Sequence, residues 1–280
     1  EKKYFLSYRK LFLFSLPSII AVGLEPLAEL IDTAILGQVN STWVAGQASV
    51  NAFLASFAWV FNFLSHGPTA QIAHKLGQGK IKETGVFIRT ASIMALSLGL
   101  IFSFVLFFGR EFLLEYVLGA QKELIETSTP YWNIRVLGYP LTLLAMALVG
   151  VLRGLQEIKK AMFAIFIMTL INALGSYFSV MYWNLGLKGA AYSTVLSFFV
   201  CDVLLILTLL KKSKNIGLFK RSYESVETFL SLGKDALHLT VRTAFLSLAF
   251  FLLIVFATRL GSQTLAAHQI ILQLWLLASF

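Results

Sequence analysis

Apolar residues in this chain come in long blocks separated by short polar breaks, and the blocks are too long for strands. A membrane-spanning helix needs about 20 predominantly apolar residues. Against that length the pattern predicts seven complete spans and one partial one. They run approximately Leu11–Leu36, Val44–Ile72, Val86–Phe108, Tyr131–Leu152, Ala161–Trp183, Gly189–Leu210 and Ala236–Thr258, with the eighth from Thr264 onward. The breaks hold Gly, Lys, Asn and Ser, as in Lys75–Gly79 and Lys211–Gly217, which suits loops. The last run, Leu265–Phe280, stops short of a full span, so the chain is expected to continue into further helices. The first run is followed by no small-residue cleavage site, and no signal peptide is expected.

Composition agrees with a polytopic all-α membrane protein. Hydrophobic residues make up 58% of the 280 and charged residues 13%, where soluble chains carry about 25% charged residues. The mean hydropathy is +0.78. A net charge of +9 would suit nucleic acid if the basic residues shared one face, but they lie between the apolar runs. They orient the chain instead. Sixteen of them fall in the N-terminal segment and the even-numbered loops, against Arg110, Lys122, Lys188 and Arg259 on the other side. That bias places the N-terminus in the cytoplasm and disfavours a seven-helix receptor. Trp43, Trp132 and Trp183 fall at outer helix ends, as in an aromatic belt, and Arg135 is expected to snorkel there to the headgroups. The single cysteine, Cys201, excludes an intrachain disulfide and a cysteine metal cluster. No nucleophile–base pair or metal-ligand spacing is present, which speaks against an enzyme.

The candidate chemistry lies in charges at membrane depth, where an ionisable group is costly and usually faces a cavity or a partner. Glu25, Glu29 and Asp32 are spaced to share one face of the first span, and Pro17 and Pro26 interrupt the same helix. Three acids on a Pro-broken helix read as a stripe that attracts cations or carries protons. Counting helical rise inward from the helix ends puts Asn172, Ser176 and Thr194 at the level of Asp32, so the four can offer oxygens to a proton, water or Na⁺. Asp202 and Arg242 lie at a similar inner depth and can pair or face water separately.

Several runs in chain order resemble one family. Leu16-Pro17, then Glu25-Pro26-Leu27-Ala28-Glu29-Leu30-Ile31-Asp32-Thr33-Ala34-Ile35-Leu36-Gly37, is similar to the first-helix signature of MATE (multidrug and toxic compound extrusion) transporters, in their DinF-type branch. Thr69-Ala70-Gln71 with Gly77-Gln78-Gly79 resembles the end of that family's second helix. Tyr131, Ile134-Arg135, Pro140, Gly150 and Gly154-Leu155-Gln156 resemble its fourth, and Gly186 to Thr194 the start of its sixth. Arg242 resembles a seventh-helix arginine of the DinF branch.

The resemblance implies twelve helices in two six-helix lobes. Residues 1–215 would form the first lobe, 216–235 a cytoplasmic linker, and 236–280 helix 7 with part of helix 8. It also implies drug export driven by H⁺ or Na⁺ re-entry, a monomer in the inner (cytoplasmic) membrane, and no further cofactor. It gives Asp32 the coupling role, with Asn172 and Thr194 in a polar cavity. Relatives often carry a second acid where this chain has Ser176, which leaves a full Na⁺ site at Asp32 in doubt. A weak internal likeness between residues 39–47 and 260–268 fits a parallel repeat.

These readings converge on an antiporter exporting lipophilic, often cationic compounds. Asp32 takes up the proton or Na⁺, and Pro17 and Pro26 allow the helix to bend. Glu25, Glu29, Phe53, Phe57, Phe61 and Arg242 line the substrate's path. The alternatives are a lipid or polyprenyl-intermediate flippase, which would need a more basic cavity, and a non-transporting scaffold or receptor with inert acids.

Overall fold

The computed structural model describes residues 8–219, 245 and 247–279. They are helical almost throughout, with no strand among them. In chain order the helices are α1 (Tyr8–Val39), α2 (Ser41–Val60), α3 (Phe63–Gly77), α4 (Ile81–Phe108), α5 (Lys122–Leu137), α6 (Tyr139–Gly154), α7 (Ile158–Met181) and α8 (Gly186–Lys211). They are followed by α9 (Ser247–Arg259) and α10 (Ser262–Ser279). Between α4 and α5 the chain makes a short turn, Arg110–Phe112, and one π-helical stretch, Leu113–Val117.

Polarity runs inside out, as a bilayer demands. The outward faces of α4 and α8 present Ile93, Leu100, Phe104, Phe108, Leu196 and Phe199, whereas Asp32, Asn51, Asn172, Ser176, Ser197 and Asp202 are buried. Four segments are long and apolar enough to cross a membrane: Ser41–Gly77, which joins α2 and α3, then α4, α7 and α8. The α5–α6 pair, bent by 47°, makes a fifth when taken as one span. At 32 residues α1 has the length to cross as well. The eighth expected span corresponds to α10, where Gln263, His268, Gln269 and Gln273 dilute the apolar run.

Two expectations change where the fourth span begins. The sequence pattern starts it at Tyr131, because Lys122–Thr129 is polar, but the helix already runs from Lys122. Trp132 is therefore not at the end of its helix. It is fully buried and donates from Nε1 to the Leu106 carbonyl at 3.1 Å. Arg135 is likewise drawn inside, at 9% exposure, instead of reaching the headgroups. The bend follows at Gly138, with Pro140 at the start of α6.

Small residues let the helices approach closely, the usual packing device in membranes. On α6, Gly150 and Gly154 lie four apart and both face α3. A Cβ at Gly150 would stand 2.2 Å from the Ser65 carbonyl oxygen, and one at Gly154 2.9 Å from that of Thr69. Thr69 Oγ1 bridges the two helices, donating toward the Ser65 carbonyl at 2.8 Å and toward the Gly150 carbonyl at 2.9 Å. The α7–α8 hairpin packs through Gly175, Ser179, Gly189 and Ser193, with the Ser179 and Ser193 hydroxyls 3.4 Å apart. Residues 39–47 and 260–268, paired by their likeness in sequence, each contain a turn between two helices, at Asn40 and at Leu260–Gly261. At the first, the Asn40 side chain caps α2 by accepting from Thr42 N at 2.9 Å.

Candidate functional site

Asp32 lies on the C-terminal part of α1, against the face of α7 on which Asn172 and Ser176 stand one turn apart. The close α7–α8 contact then sets Thr194 beside Asn172. Asn172 Nδ2 donates to Thr194 Oγ1 at 3.0 Å, and that hydroxyl donates to the Ala190 carbonyl at 2.9 Å. The Asp32 carboxyl, 4% exposed, faces Asn172 and Ser176, with the charges of Arg135 and Glu29 nearby. Its Oδ1 and the Ser176 hydroxyl are both buried without a hydrogen-bond partner. The four residues expected to share a level are thus brought together, with unused hydrogen-bonding capacity at their centre. A proton or a small cation suits such a place, because an unmade buried hydrogen bond costs about 1–3 kcal/mol.

A second polar layer lies beside it, between α2, α5 and α10. Thr33 Oγ1 donates to Gln47 Oε1 at 3.4 Å and accepts from Gln273 Nε2 at 3.1 Å, and all three residues are buried. Tyr131 donates from its hydroxyl to Asn51 Oδ1 at 3.1 Å. The sequence reading placed none of Gln47, Asn51, Tyr131 and Gln273 in a functional site. Each looks unremarkable alone, and only helix azimuths that no single run reveals bring them together.

Arg135 belongs to the same interior. Its guanidinium is near Asp32, Tyr131 and Tyr139. Its Nε is buried without a hydrogen-bond partner. It stands in the last turn of α5.

The remaining predicted residues are placed as follows. Glu29 is half-buried and Pro26 buried on α1, and Pro17 lies within that helix. Arg242 and the side chain of Glu25 lie outside the described residues. Phe53 is fully buried, packed on Phe57, Trp132 and Phe251 with ring centroids 6.0, 5.4 and 5.1 Å away. Phe57 and Phe61 both meet Phe102, at 4.4 and 5.3 Å. The three rings therefore form a packed aromatic seam that reaches α9 through Phe251. Asp202 is buried on α8 with neither oxygen hydrogen-bonded.

Comparison with known proteins gives a consistent result. The MatE family model matches residues 17–178. The Arabidopsis thaliana protein named DETOXIFICATION 43 is 32% identical over 191 residues, covering 68% of this chain and 35% of that protein. DNA damage-inducible protein F of Escherichia coli is 25% identical over 280 residues, covering 96% of this chain and 59% of that protein. The chain thus spans well under two thirds of either relative. Among solved structures, a multidrug resistance MATE family transporter of the MOP superfamily in an inward-facing conformation superposes with a TM-score of 0.77. The identity is 20%, over 90% of this chain and 60% of that one.

Proposed function

The chain belongs to the MATE family of multidrug and toxic compound extrusion transporters, and on that premise we propose that it works as part of a secondary active antiporter with Asp32 as the coupling carboxylate. One observation carries the reading: a buried carboxyl whose Oδ1 has no partner, facing Asn172 and Ser176 at the end of a Pro-interrupted helix. In the outward-open state the charged carboxyl draws a proton, or Na⁺, from outside. Neutralisation removes the cost of a bare charge in a low-dielectric interior. That lets the segment of α1 around Pro26 bend and repack against α7. Asn172 and Ser176 face the carboxyl, and Thr194 fixes the Asn172 amide. Export of lipophilic small molecules follows as the helices reverse their access, with cationic ones drawn by Glu25, Glu29 and Asp32. Residues 1–215 act as the first of two lobes, monomeric in the cytoplasmic membrane with the N-terminus inside.

The test is efflux of ethidium, a lipophilic cation, from vesicles holding the full-length protein, with H⁺ and Na⁺ gradients imposed separately. Asp32→Asn should abolish gradient-driven efflux while leaving the protein folded. Wild-type efflux by that variant would sink the role of Asp32.

A further inference from the structure

We infer that Asp202, near the middle of the α6–α8 seam, is a second proton-binding carboxyl of the transport cycle, separate from the site at Asp32 and entered through a polar gap that it shares with Thr142. The inference rests on the antiport reading above and extends what that antiporter carries.

The seam is fixed at both ends. Val195 on α8 lies against Gly138, where a Cβ would stand 2.4 Å from Val195 Cγ2. Past the other ends of the two helices, the Lys212 ammonium is bonded to Glu157. Helices α6 and α8 therefore run parallel and nearly in register. Asp202 follows Val195 by seven residues, two turns, which returns it to the same face of α8 about 10 Å further along. Thr142 follows Gly138 by four, on the face of α6 turned to α8 and about 6 Å along. The two side chains thus lie within about one turn of each other in depth.

Both are left unbonded. Asp202 is 2% exposed, and neither of its carboxyl oxygens has a hydrogen-bond partner. The Thr142 hydroxyl is also buried and unpartnered, although a helical threonine can donate to the carbonyl one turn back, as Thr194 does to Ala190. Among the described residues, the titratable neighbour of Asp202 is the buried Cys201 thiol beside it. Tyr139 and Arg153 on α6, Lys160 and Tyr177 on α7, Tyr131 and Arg135 on α5, and Asp32 on α1 stand too far off to act on it. Helix α2 carries no titratable side chain. An ionised carboxylate in such a place is far costlier than the neutral acid, and a proton removes the charge without needing a coordination shell. Ala145 and Leu205, buried one turn further along each helix, leave the three unbonded oxygens as a polar gap in an apolar seam. Asp202 stands about 12 Å along α8 from Thr194, which adjoins the Asp32 site, and about 14 Å from Lys211, at the end that the antiport reading puts in the cytoplasm. It is placed to take or yield its proton on the inner side while Asp32 serves the outer one.

Infrared difference spectroscopy of the full-length protein in lipid nanodiscs reads a protonated carboxyl by its carbonyl stretch, distinct from the carboxylate bands. A band missing from both Asp202→Asn and Asp202→Val should fade in the wild type as pH is raised and should shift in D₂O. The valine variant keeps this arm open if the asparagine one does not fold, because it buries no polar group. Thr142→Val should slow the deuterium shift severalfold. In vesicles, Asp202→Asn should take up one proton fewer per ethidium exported than the wild type. Absence of such a band at every pH would overturn the inference, as when Asp202 stays charged beside Arg242. So would a band that ignores pH and D₂O, a deuterium shift as fast in Thr142→Val as in the wild type, or an unchanged proton count. The band is read without transport, so it stands apart from the antiport reading, which fails only if Asp32→Asn exports ethidium normally.

Discussion

Gly150→Ala adds one methyl group at a point of close approach between α6 and α3, and its cost follows from the contacts there. The new Cβ would lie 2.2 Å from the Ser65 carbonyl oxygen and 2.8 Å from its Cα. Ordinary contact begins at 3.4 Å, so the backbones must part by about 1.2 Å at this position. Neither side can yield by a rotamer change, because both contact atoms belong to helical backbone. The displacement also stretches the Thr69 bridge, whose two bonds at 2.8 and 2.9 Å span the same gap. Overpacking of this kind costs roughly 1–3 kcal/mol, and the weakened interhelical bond adds about 0.6 kcal/mol. The expected result is a fall of several degrees in the melting temperature of the detergent-solubilised protein. Gly37→Ala supplies the control, since a Cβ there meets only the Val44 side chain, at 3.6 Å. If Gly150→Ala melts with the wild type, then α3 and α6 are not in backbone contact and the packing described for them is wrong.

Three further predictions follow from particular contacts. Replacing Asp202 by Val, which is not far from it in volume, removes a buried carboxyl with no hydrogen bond to either oxygen, and should raise stability by about 1–3 kcal/mol; a lower melting temperature would reveal a partner that holds it. Gln273→Leu breaks the bond to Thr33 across α1 and α10 and leaves Thr33 with Gln47 alone, so it should loosen α10, read as faster hydrogen exchange along that helix; unchanged exchange would refute this. At the N-terminus of α7, the Lys212 ammonium bonded to Glu157 holds that carboxyl below the usual carboxylate range, with Lys160 3.1 Å away assisting. Because the folded-state value is depressed, its stabilisation is complete above the unfolded value, about 4.3, and is lost as pH falls through the folded one. The melting difference between wild type and Glu157→Gln should be steady near neutral pH and close as pH drops below about 4. A difference that persists in acid would exclude the pair as its source.

Depth along a helix could be read from the chain because rise per residue is constant. That is why Asp32, Asn172, Ser176 and Thr194 are found side by side, as counting from the helix ends predicts. Azimuth is harder to read. Thr33, Gln47 and Gln273 meet only because α10 packs on α1 and α2, and no apolar run announces that contact. Arg135 and Trp132 were misplaced for a different reason. The polar residues Lys122–Thr129 resemble a loop by composition, yet they are the first turns of α5, where Ser128 is wholly buried. A helix whose membrane entry is polar pushes the apparent span boundary inward, and every depth measured from that boundary inherits the error.

Asp32 and Thr33 are consecutive, yet they look in two directions. The first faces α7, and the second bonds to α2 and α10. Adjacent side chains on a helix are fixed at about 100° to each other, so these two behave as cogs on one shaft. Any turn of the C-terminal end of α1 that swings the carboxyl away from Asn172 swings the Thr33 hydroxyl by the same angle. The Gln273 amide must then let go or follow. Whatever happens to the carboxyl is therefore felt at the far side of α1, without a relay of intermediate residues.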